Sequence, residues 1–238
     1  MTAITDVPTA RVPSRLATLL ELRAPFDWAT ILVRAPQLLS APRGDGRPVM
    51  LLPGYGTDEA SMRPLGAYLR FLGYDVHDWG IGRNKGDVDG YIAEVGDRVS
   101  EISAGLDGEP LTLIGWSLGG VIAREIARLF EADVREVITL GTPIIGGPKY
   151  TAAAKRFSDY AGLDLDDFEK HVHERNSIGI RQPVTSIYSK LDGIVSWQAS
   201  IDIYNDQARN IEVYSSHFGI GVNGKVWRLI ADILAGER

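Results

Sequence analysis

One short segment of this sequence combines a nucleophilic side chain with the backbone that such a side chain requires. Ser117 lies in GWSLG (115–119), a G-x-S-x-G pattern between an apolar run at 111–114 and an amphipathic stretch at 121–130. A serine on a sharp strand-to-helix turn has strained backbone angles, and flanking glycines avoid clashes with the strand and the helix. The turn exposes the hydroxyl, and the helix N-terminus favours a developing oxyanion. The pattern therefore predicts Ser117 as the nucleophile of an acyl-transfer site.

A serine hydroxyl needs a general base, and histidine is the usual one. The sequence has four histidines. His217 follows the last predicted strand, so it lies at the sheet edge that also displays the serine. His77 lies within an early predicted strand, where a structural role is expected. His171 and His173 lie in a charged segment, where we expect them to be solvated. We therefore predict His217 as the base.

The base needs a carboxylate that fixes its tautomer and stabilises the imidazolium. Asp192 follows the predicted strand at 183–188, at the same edge of the sheet, and is our prediction for this carboxylate. An Asp-Gly pair is also a common turn, which leaves a purely structural role open. Asp202 and Asp206 are the alternatives; both lie farther from a strand end, and we expect them to face solvent. The chain order serine, aspartate, histidine is the one found with this kind of turn.

Two backbone donors are expected to stabilise the oxyanion. One is the N–H of Leu118, the residue after the nucleophile. The other is predicted to be the N–H of Tyr55, in the loop PGYGT (53–57) after the first parallel strand. The glycines of this loop allow the backbone to approach closely. The loop can equally be a tight turn before a helix, and the two interpretations are compatible.

The elements that position these residues alternate regularly along the chain. Apolar runs predict strands, and stripes of helical spacing between them predict helices. The predicted strands are 49–52, 74–79, 111–114, 134–140, 183–188 and 211–214, and the main helices are 62–72, 88–106, 121–130 and 226–234. This alternation predicts an α/β fold with a mostly parallel twisted sheet and helices on both faces.

Two segments fall outside the alternation. Residues 1–47 contain apolar residues at helical spacing and several prolines, which predicts a helical extension packed on a core domain at 48–238. This extension is also a candidate interface for a homo-oligomer. Residues 146–181 have mixed charge and are too long for an ordinary connection. We expect them to form a small, partly helical cap over the carboxyl edge of the sheet.

Composition excludes several function classes. Basic residues number 25 and acidic residues 31, a net charge of −6, which argues against a nucleic-acid partner. The absence of cysteine excludes disulfides, thiolate metal sites and cysteine nucleophiles. No apolar run is long enough for stable membrane insertion, and the N-terminus is unlike a secretory signal. The expected location is cytoplasmic.

Taken together, these motifs resemble the α/β-hydrolase fold superfamily, and within it the bacterial lipase- and esterase-like members. The segments that carry the resemblance are the nucleophile turn at 115–120, the oxyanion loop at 51–56, LGTP at 140–143, and the loops at 192–195 and 216–217. The resemblance covers the chain from Val49 onward; Pro53 stands where histidine is common in the family. It implies a serine-histidine-aspartate triad with no metal and no organic cofactor.

The combined interpretation is a serine hydrolase that cleaves carboxylic esters of small molecules. Because the predicted cap is charged, short- to medium-chain acyl groups are favoured. We expect the substrate pocket to include Trp79, Trp116, Ile144 and Phe218. Two alternatives remain: an acyltransferase that uses the same triad with an alcohol or amine acceptor, and a binding protein of the same fold without catalysis.

Overall fold

The computed structural model describes residues 9–162 and 164–236. The first eight residues of the predicted extension, Leu163 of the predicted cap and the last two residues lie outside this part of the chain. The described part contains six strands and several helices, which occur in the predicted order.

The six strands form one sheet in the order β2-β1-β3-β4-β5-β6, and all neighbouring pairs are parallel. The strands are β1 (Pro48–Leu52), β2 (Asp75–Asp78), β3 (Leu111–Trp116), β4 (Val134–Leu140), β5 (Val184–Tyr188) and β6 (Arg209–Glu212). Every residue of β1 and β3 is buried, as expected for central strands covered on both faces. The predicted parallel α/β sheet is confirmed.

The helices cover both faces of this sheet. They are α1 (Arg15–Leu19), α2 (Ala24–Val33), α3 (Ala35–Leu39), α4 (Arg63–Leu72), α5 (Val88–Gly105), α6 (Leu118–Leu129), α7 (Ala154–Ala161), α8 (Leu165–Ser177) and α9 (Gly224–Leu234). Side chains of α4 and α9 form the core on one face, and side chains of α5 and α6 form the core on the other. None of the helices in the described ranges is long and apolar enough to cross a membrane.

The N-terminal helices α1–α3 lie on the α9 side of the sheet. Helices α2 and α3 contact α9, and Leu38 of α3 joins the core on that face. The helices connect to the rest of the fold through polar contacts as well: the Thr18 hydroxyl donates to the Gly193 carbonyl at 2.8 Å, and the Gly224 N–H donates to the Thr30 hydroxyl at 2.8 Å. The extension is therefore joined to loops near the carboxyl edge of the sheet.

Helices α7 and α8 lie within the segment predicted as a cap. Buried Glu169 of α8 accepts a hydrogen bond from the Tyr150 hydroxyl at 2.5 Å and pairs with Lys149. Thr151 forms an isolated antiparallel bridge with Val195, in the loop that follows Asp192. The segment is thus attached to the loop that carries the predicted acid.

Candidate active site

Ser117 occupies the turn between β3 and α6, and its backbone is strained. It has φ 53° and ψ −121°, a region that non-glycine residues rarely adopt. The Ser117 N–H donates to the Leu140 carbonyl of β4 at 2.8 Å. This bond fixes the turn against the neighbouring strand at the carboxyl edge of the sheet.

Close backbone contacts explain the glycines on both sides of this serine. A Cβ atom on Gly119 would lie 2.3 Å from the Leu52 carbonyl oxygen, and one on Gly115 would lie 2.4 Å from the Gly119 carbonyl oxygen. Carbon and oxygen atoms cannot approach so closely, so larger residues at either position would force the strand and helix apart. The glycines of the motif therefore permit the sharp turn at Ser117.

His217 and Asp192 form a buried pair at the same edge. The His217 Nδ1 atom lies 2.7 Å from the Asp192 Oδ2 atom, and both side chains are almost fully buried. The other oxygen, Asp192 Oδ1, accepts the backbone N–H groups of Ile194 at 2.9 Å and Val195 at 2.7 Å. With Asp192 ionised, Nδ1 carries the imidazole proton and Nε2 keeps its lone pair, as a general base requires.

The surroundings of His217 change its pKa through opposing effects. Burial disfavours the imidazolium and lowers the pKa, but the charge of Asp192, the hydrogen bond to Asp192 and the charge of Glu21 all raise it. The carboxylates outweigh the desolvation, and the pKa of His217 is raised above its ordinary value. The imidazolium form is therefore stabilised in this site.

Contacts through neighbouring residues connect the pair to the serine turn. The Trp116 indole N–H donates to the His217 carbonyl at 3.2 Å, and their rings lie 5.7 Å apart. A Cβ atom on Gly141, after β4, would lie 2.9 Å from Asp192 Oδ2 and 3.2 Å from His217 Nδ1. Within the described residues, no hydrogen bond joins the Ser117 hydroxyl to the His217 ring. Such bonds often form only when substrate is bound.

The three other histidines lie away from this arrangement. His77 is on β2, at the opposite end of the strand order from β5 and β6, and lies 2.9 Å from Asp75. His171 is exposed, as expected. His173 is half-buried and contacts the Tyr204 hydroxyl at 3.1 Å, so it is less exposed to solvent than expected.

One alternative acid has a different environment from the one predicted. Asp202 does not face solvent: it is buried and lies 2.5 Å from the buried guanidinium of Arg124, on α6. It also accepts the backbone N–H of Tyr204 at 2.9 Å and the side-chain N–H of Asn205 at 2.6 Å. A positive charge buried on α6 needs a carboxylate partner, and Asp202 supplies it. Asp206 is exposed, as predicted.

The loop after β1 lies against the serine turn and is held by a buried asparagine. A Cβ atom on Gly54 would lie 3.3 Å from the Ser117 Cβ atom. Asn84 donates from its side chain to the Pro53 carbonyl at 2.9 Å and exchanges backbone hydrogen bonds of 2.7 and 2.8 Å with Gly56 and Thr57. Asn84 is fully buried. These bonds fix the loop that contains Tyr55.

The two predicted oxyanion donors lie on either side of the serine turn. Leu118 begins α6, and Tyr55 is in the loop that Asn84 holds. In the described part of the chain, neither backbone N–H is bonded to another protein group. Neither N–H group therefore has a protein partner in this part of the chain that would compete with a bound oxygen atom.

The predicted pocket residues lie in different surroundings. Trp79 has no exposed surface: its indole N–H donates to the Gly82 carbonyl at 3.0 Å and its ring packs against Tyr91, within the α5–α6 core. Ile144 is buried in a small cluster near the cap segment. Trp116 is buried beside His217, and Phe218 is 53% exposed. Phe218 is therefore the member of this set that presents most surface to solvent beside the histidine.

Two buried carboxylates of the N-terminal extension hold the loops of the site, and the sequence analysis did not identify them. Glu21 accepts the backbone N–H groups of Gly193 at 2.7 Å, His217 at 3.0 Å and Phe218 at 3.1 Å. Asp27 accepts hydrogen bonds from the Ser215 hydroxyl at 3.0 Å, the Ser216 hydroxyl at 2.8 Å and the Asn223 amide at 2.8 Å. Their only signal in the sequence is that they are the two acidic residues within 9–44.

Among residues 9–162 and 164–236, no group of three or more histidine, aspartate or glutamate side chains could hold a metal ion. The chemical groups that lie at the carboxyl edge are a strained serine and a histidine paired to an aspartate, beside the loop that contains Tyr55. This set can support nucleophilic attack on a carbonyl with general base assistance.

Comparisons with known proteins agree with this fold. A family model described as alpha/beta hydrolase fold matches residues 47–176. A lipase-esterase related protein from Clostridium acetobutylicum is 18% identical, with a TM-score of 0.56 over 83% of this chain and 98% of that chain. A monoacylglycerol lipase from Paleococcus ferrophilus is 17% identical, with a TM-score of 0.58 over 83% of this chain and 97% of that chain. A Bacillus licheniformis lipase is 16% identical, with a TM-score of 0.58 over 82% of this chain and 94% of that chain. No curated protein matches the chain significantly.

Proposed function

This chain belongs to the alpha/beta hydrolase fold family, and we propose that it hydrolyses carboxylic esters through an acyl-enzyme on Ser117. The single observation that carries the proposal is the buried 2.7 Å pair of His217 and Asp192 at the sheet edge where Ser117 occupies its strained turn. A histidine with a buried carboxylate on Nδ1 is suited to remove a proton from a serine hydroxyl.

The proposed mechanism uses each group in turn. The Ser117 hydroxyl attacks the ester carbonyl while His217 Nε2 takes its proton, and Asp192 stabilises the imidazolium. The N–H groups of Tyr55 and Leu118 stabilise the oxyanion of the tetrahedral intermediate. His217 then protonates the leaving alkoxide, which departs and leaves an acyl-serine. Water, deprotonated by His217, attacks the acyl-serine and releases the carboxylic acid.

The proposed substrates are esters with short- to medium-chain acyl groups. Helices α7 and α8 carry mostly polar side chains, among them buried Glu169 of α8, which pairs with Lys149 of the turn before α7. A site for a long acyl chain needs an extended apolar surface. The cap segment offers little of it, which supports the shorter chains.

Hydrolysis of a series of p-nitrophenyl esters of increasing acyl length tests this function. We expect turnover to be highest for the shorter esters and to fall by about 10⁶ in Ser117→Ala, which lacks the nucleophile. A fluorophosphonate probe should label the wild-type protein and not this variant. Folded wild-type protein that neither reacts with the probe nor cleaves any ester would contradict the proposal and favour a binding role. An ester product formed from added alcohol in preference to free acid would favour acyl transfer.

A further inference from the structure

The N-terminal helices present their apolar side chains to solvent. Six large residues of the segment 16–33 are between 64% and 82% exposed: Leu16, Leu19, Leu22, Phe26, Leu32 and Val33. Trp28, in the same helices, is 49% exposed. We call these seven residues the N-terminal face. Single exposed apolar residues are ordinary on protein surfaces, but seven of them within the 18 residues 16–33 indicate an interaction site.

The same helices bury their acidic residues, the reverse of the usual arrangement in water. The only buried residue of α2 is Asp27, and the only buried residue of the preceding turn, at 20–23, is Glu21. Helix α1 has no buried residue. Since the carboxylates point inward to the active-site loops, the outward side of α1 and α2 is left apolar. The polarity of these helices indicates that their outer side contacts something other than water.

The exposed charges of the N-terminal segment itself have one sign. Within residues 9–44 the basic residues are arginines, among them Arg11, Arg15, Arg23 and Arg34, and the only acidic residues are the buried Glu21 and Asp27. Arg11 and Arg15 are exposed. The whole chain, in contrast, has a net charge of −6. An apolar surface bordered by arginine, in an otherwise acidic protein, has the polarity that binds an anionic lipid surface.

We propose that the N-terminal face docks on the surface of a bilayer that contains anionic lipids. The leucine, valine and phenylalanine side chains would enter the boundary between headgroups and acyl chains, and Trp28 would lie at the level of the headgroups. The exposed Arg11 and Arg15 would extend to the lipid phosphates. The helices lie on the membrane in this arrangement and do not cross it.

A second copy of the chain fits this face less well. A two-fold interface places the same surface on both partners, so it would bring the arginines of both copies together with no exposed acidic residue of this segment between them. Charge complementarity therefore favours the anionic lipid surface.

The helices that carry the N-terminal face contact the loops of the candidate active site through their inward side. Thr18 of α1 is bonded to Gly193, next to Asp192, and Glu21 is bonded to His217 and Phe218. Phe218 is exposed. A protein docked through α1 and α2 would hold its histidine loop close to the bilayer. If the proposed function is right, the enzyme would take esters from the lipid–water boundary; the docking itself does not depend on catalysis.

Flotation with lipid vesicles tests the docking. We expect the full-length protein to float with vesicles of phosphatidylcholine and phosphatidylglycerol in a ratio of about two to one, and to stay unbound with pure phosphatidylcholine. The variant Phe26→Ser/Leu32→Ser should bind at least about tenfold more weakly, since it loses two apolar side chains that would enter the bilayer. Leu129→Ser is the matched control, because Leu129 is 65% exposed but lies on α6, and it should bind like the wild type.

A charge variant tests the electrostatic part separately. Arg15→Glu should weaken binding by about tenfold or more, because each basic residue at an anionic surface accounts for roughly a fivefold change and a carboxylate adds repulsion. Lys85→Glu makes the same change in net charge at an exposed position outside the N-terminal helices and should leave binding unchanged. Salt at about 0.5 M should weaken the binding of the wild type.

Several results would overturn the proposal. They are no binding to anionic vesicles, equal binding to both kinds of vesicle, or equal losses in the face variants and their controls. A dimer detected by light scattering that Phe26→Ser/Leu32→Ser dissociates would identify a second copy as the occupant instead. All vesicle measurements are repeated with Ser117→Ala, which should bind normally. Failure of the docking and failure of the proposed ester hydrolysis are thus distinguishable.

Discussion

The carboxylate of Glu21 accepts a hydrogen bond of 3.0 Å from the backbone N–H of His217, although the two residues are 196 positions apart. The same carboxylate accepts the N–H of Gly193, next to Asp192, at 2.7 Å. One side chain of the N-terminal extension therefore joins the loops of both members of the histidine–aspartate pair. Its charge also contributes to the raised pKa of His217. We therefore expect Glu21 to position the histidine and aspartate loops for the proposed reaction.

Glu21→Gln should lower kcat for ester hydrolysis by about 10- to 100-fold, because the new amide group places a donor against a backbone N–H and displaces the histidine loop. It should also lower the pKa of His217, since a negative charge is lost, and so move the acid limb of the pH–rate profile to lower pH. The measurement is kcat/KM against pH for both proteins. Glu101→Gln, at an exposed position on α5, is the control and should change neither quantity. If kcat falls but the acid limb of the pH–rate profile does not move, Glu21 has only a structural role.

The pH profile of the wild type follows from the raised pKa of His217. The proposed base must be neutral, so kcat/KM should fall as the pH drops through a pKa above the ordinary value of about 6.5. The contribution of His217 to the stability of the folded state depends on pH in the opposite direction. A histidine with a raised pKa in the folded state contributes stability below its unfolded pKa, and this contribution is lost as the pH rises through the folded pKa. Measurements of kcat/KM against pH and an NMR titration of His217 check the raised pKa. An acid limb of the rate profile below about pH 6 would contradict the expected upward shift of this pKa.

Substitution of three aspartates separates catalysis from structure. Asp192→Asn should lower kcat by at least about 10², because the imidazole loses the partner that fixes its tautomer. Asp202→Asn should instead lower the free energy of unfolding by about 3 kcal/mol, since it leaves the buried Arg124 guanidinium without its carboxylate. Asp206→Asn, at an exposed position, is the control for both. Activity and urea denaturation are measured for each variant. If Asp202→Asn protein is stable but inactive while Asp192→Asn is active, then Asp192 has been wrongly identified as the acid.

The strained backbone of Ser117 predicts that a glycine at this position would raise stability while it abolishes activity. Ser117→Gly removes the side chain that disfavours φ 53°, so it should raise the free energy of unfolding by about 1 kcal/mol and abolish hydrolysis. Ser117→Ala also abolishes hydrolysis, but it keeps a Cβ atom and should leave stability nearly unchanged. Denaturant unfolding of the two variants and the wild type measures the difference. Equal stabilities of the glycine and alanine variants would show that the turn stores no strain.

The sequence alone was sufficient to predict the sheet and the positions of the candidate residues at the ends of its strands. Strand β4 occupies the predicted residues 134–140, and α4 ends at Leu72, the predicted last residue of that helix. These features depend on local periodicity and local backbone preferences, which short stretches of sequence encode. In parallel strands the carboxyl ends share an edge, so Asp192 and His217 were expected near one another before any contact was known.

Tertiary structure alone decided which polar groups are buried and with what partner. Asp202 was expected in solvent, yet it pairs with Arg124, 78 positions away. Glu21 lies among apolar residues, and nothing in its neighbourhood distinguishes a carboxylate that faces solvent from one that accepts three backbone N–H groups of distant loops. The burial of a charge depends on a partner that folding brings from elsewhere in the chain. For the same reason, only the folded structure revealed that α1 and α2 turn their acidic residues inward and their apolar residues outward.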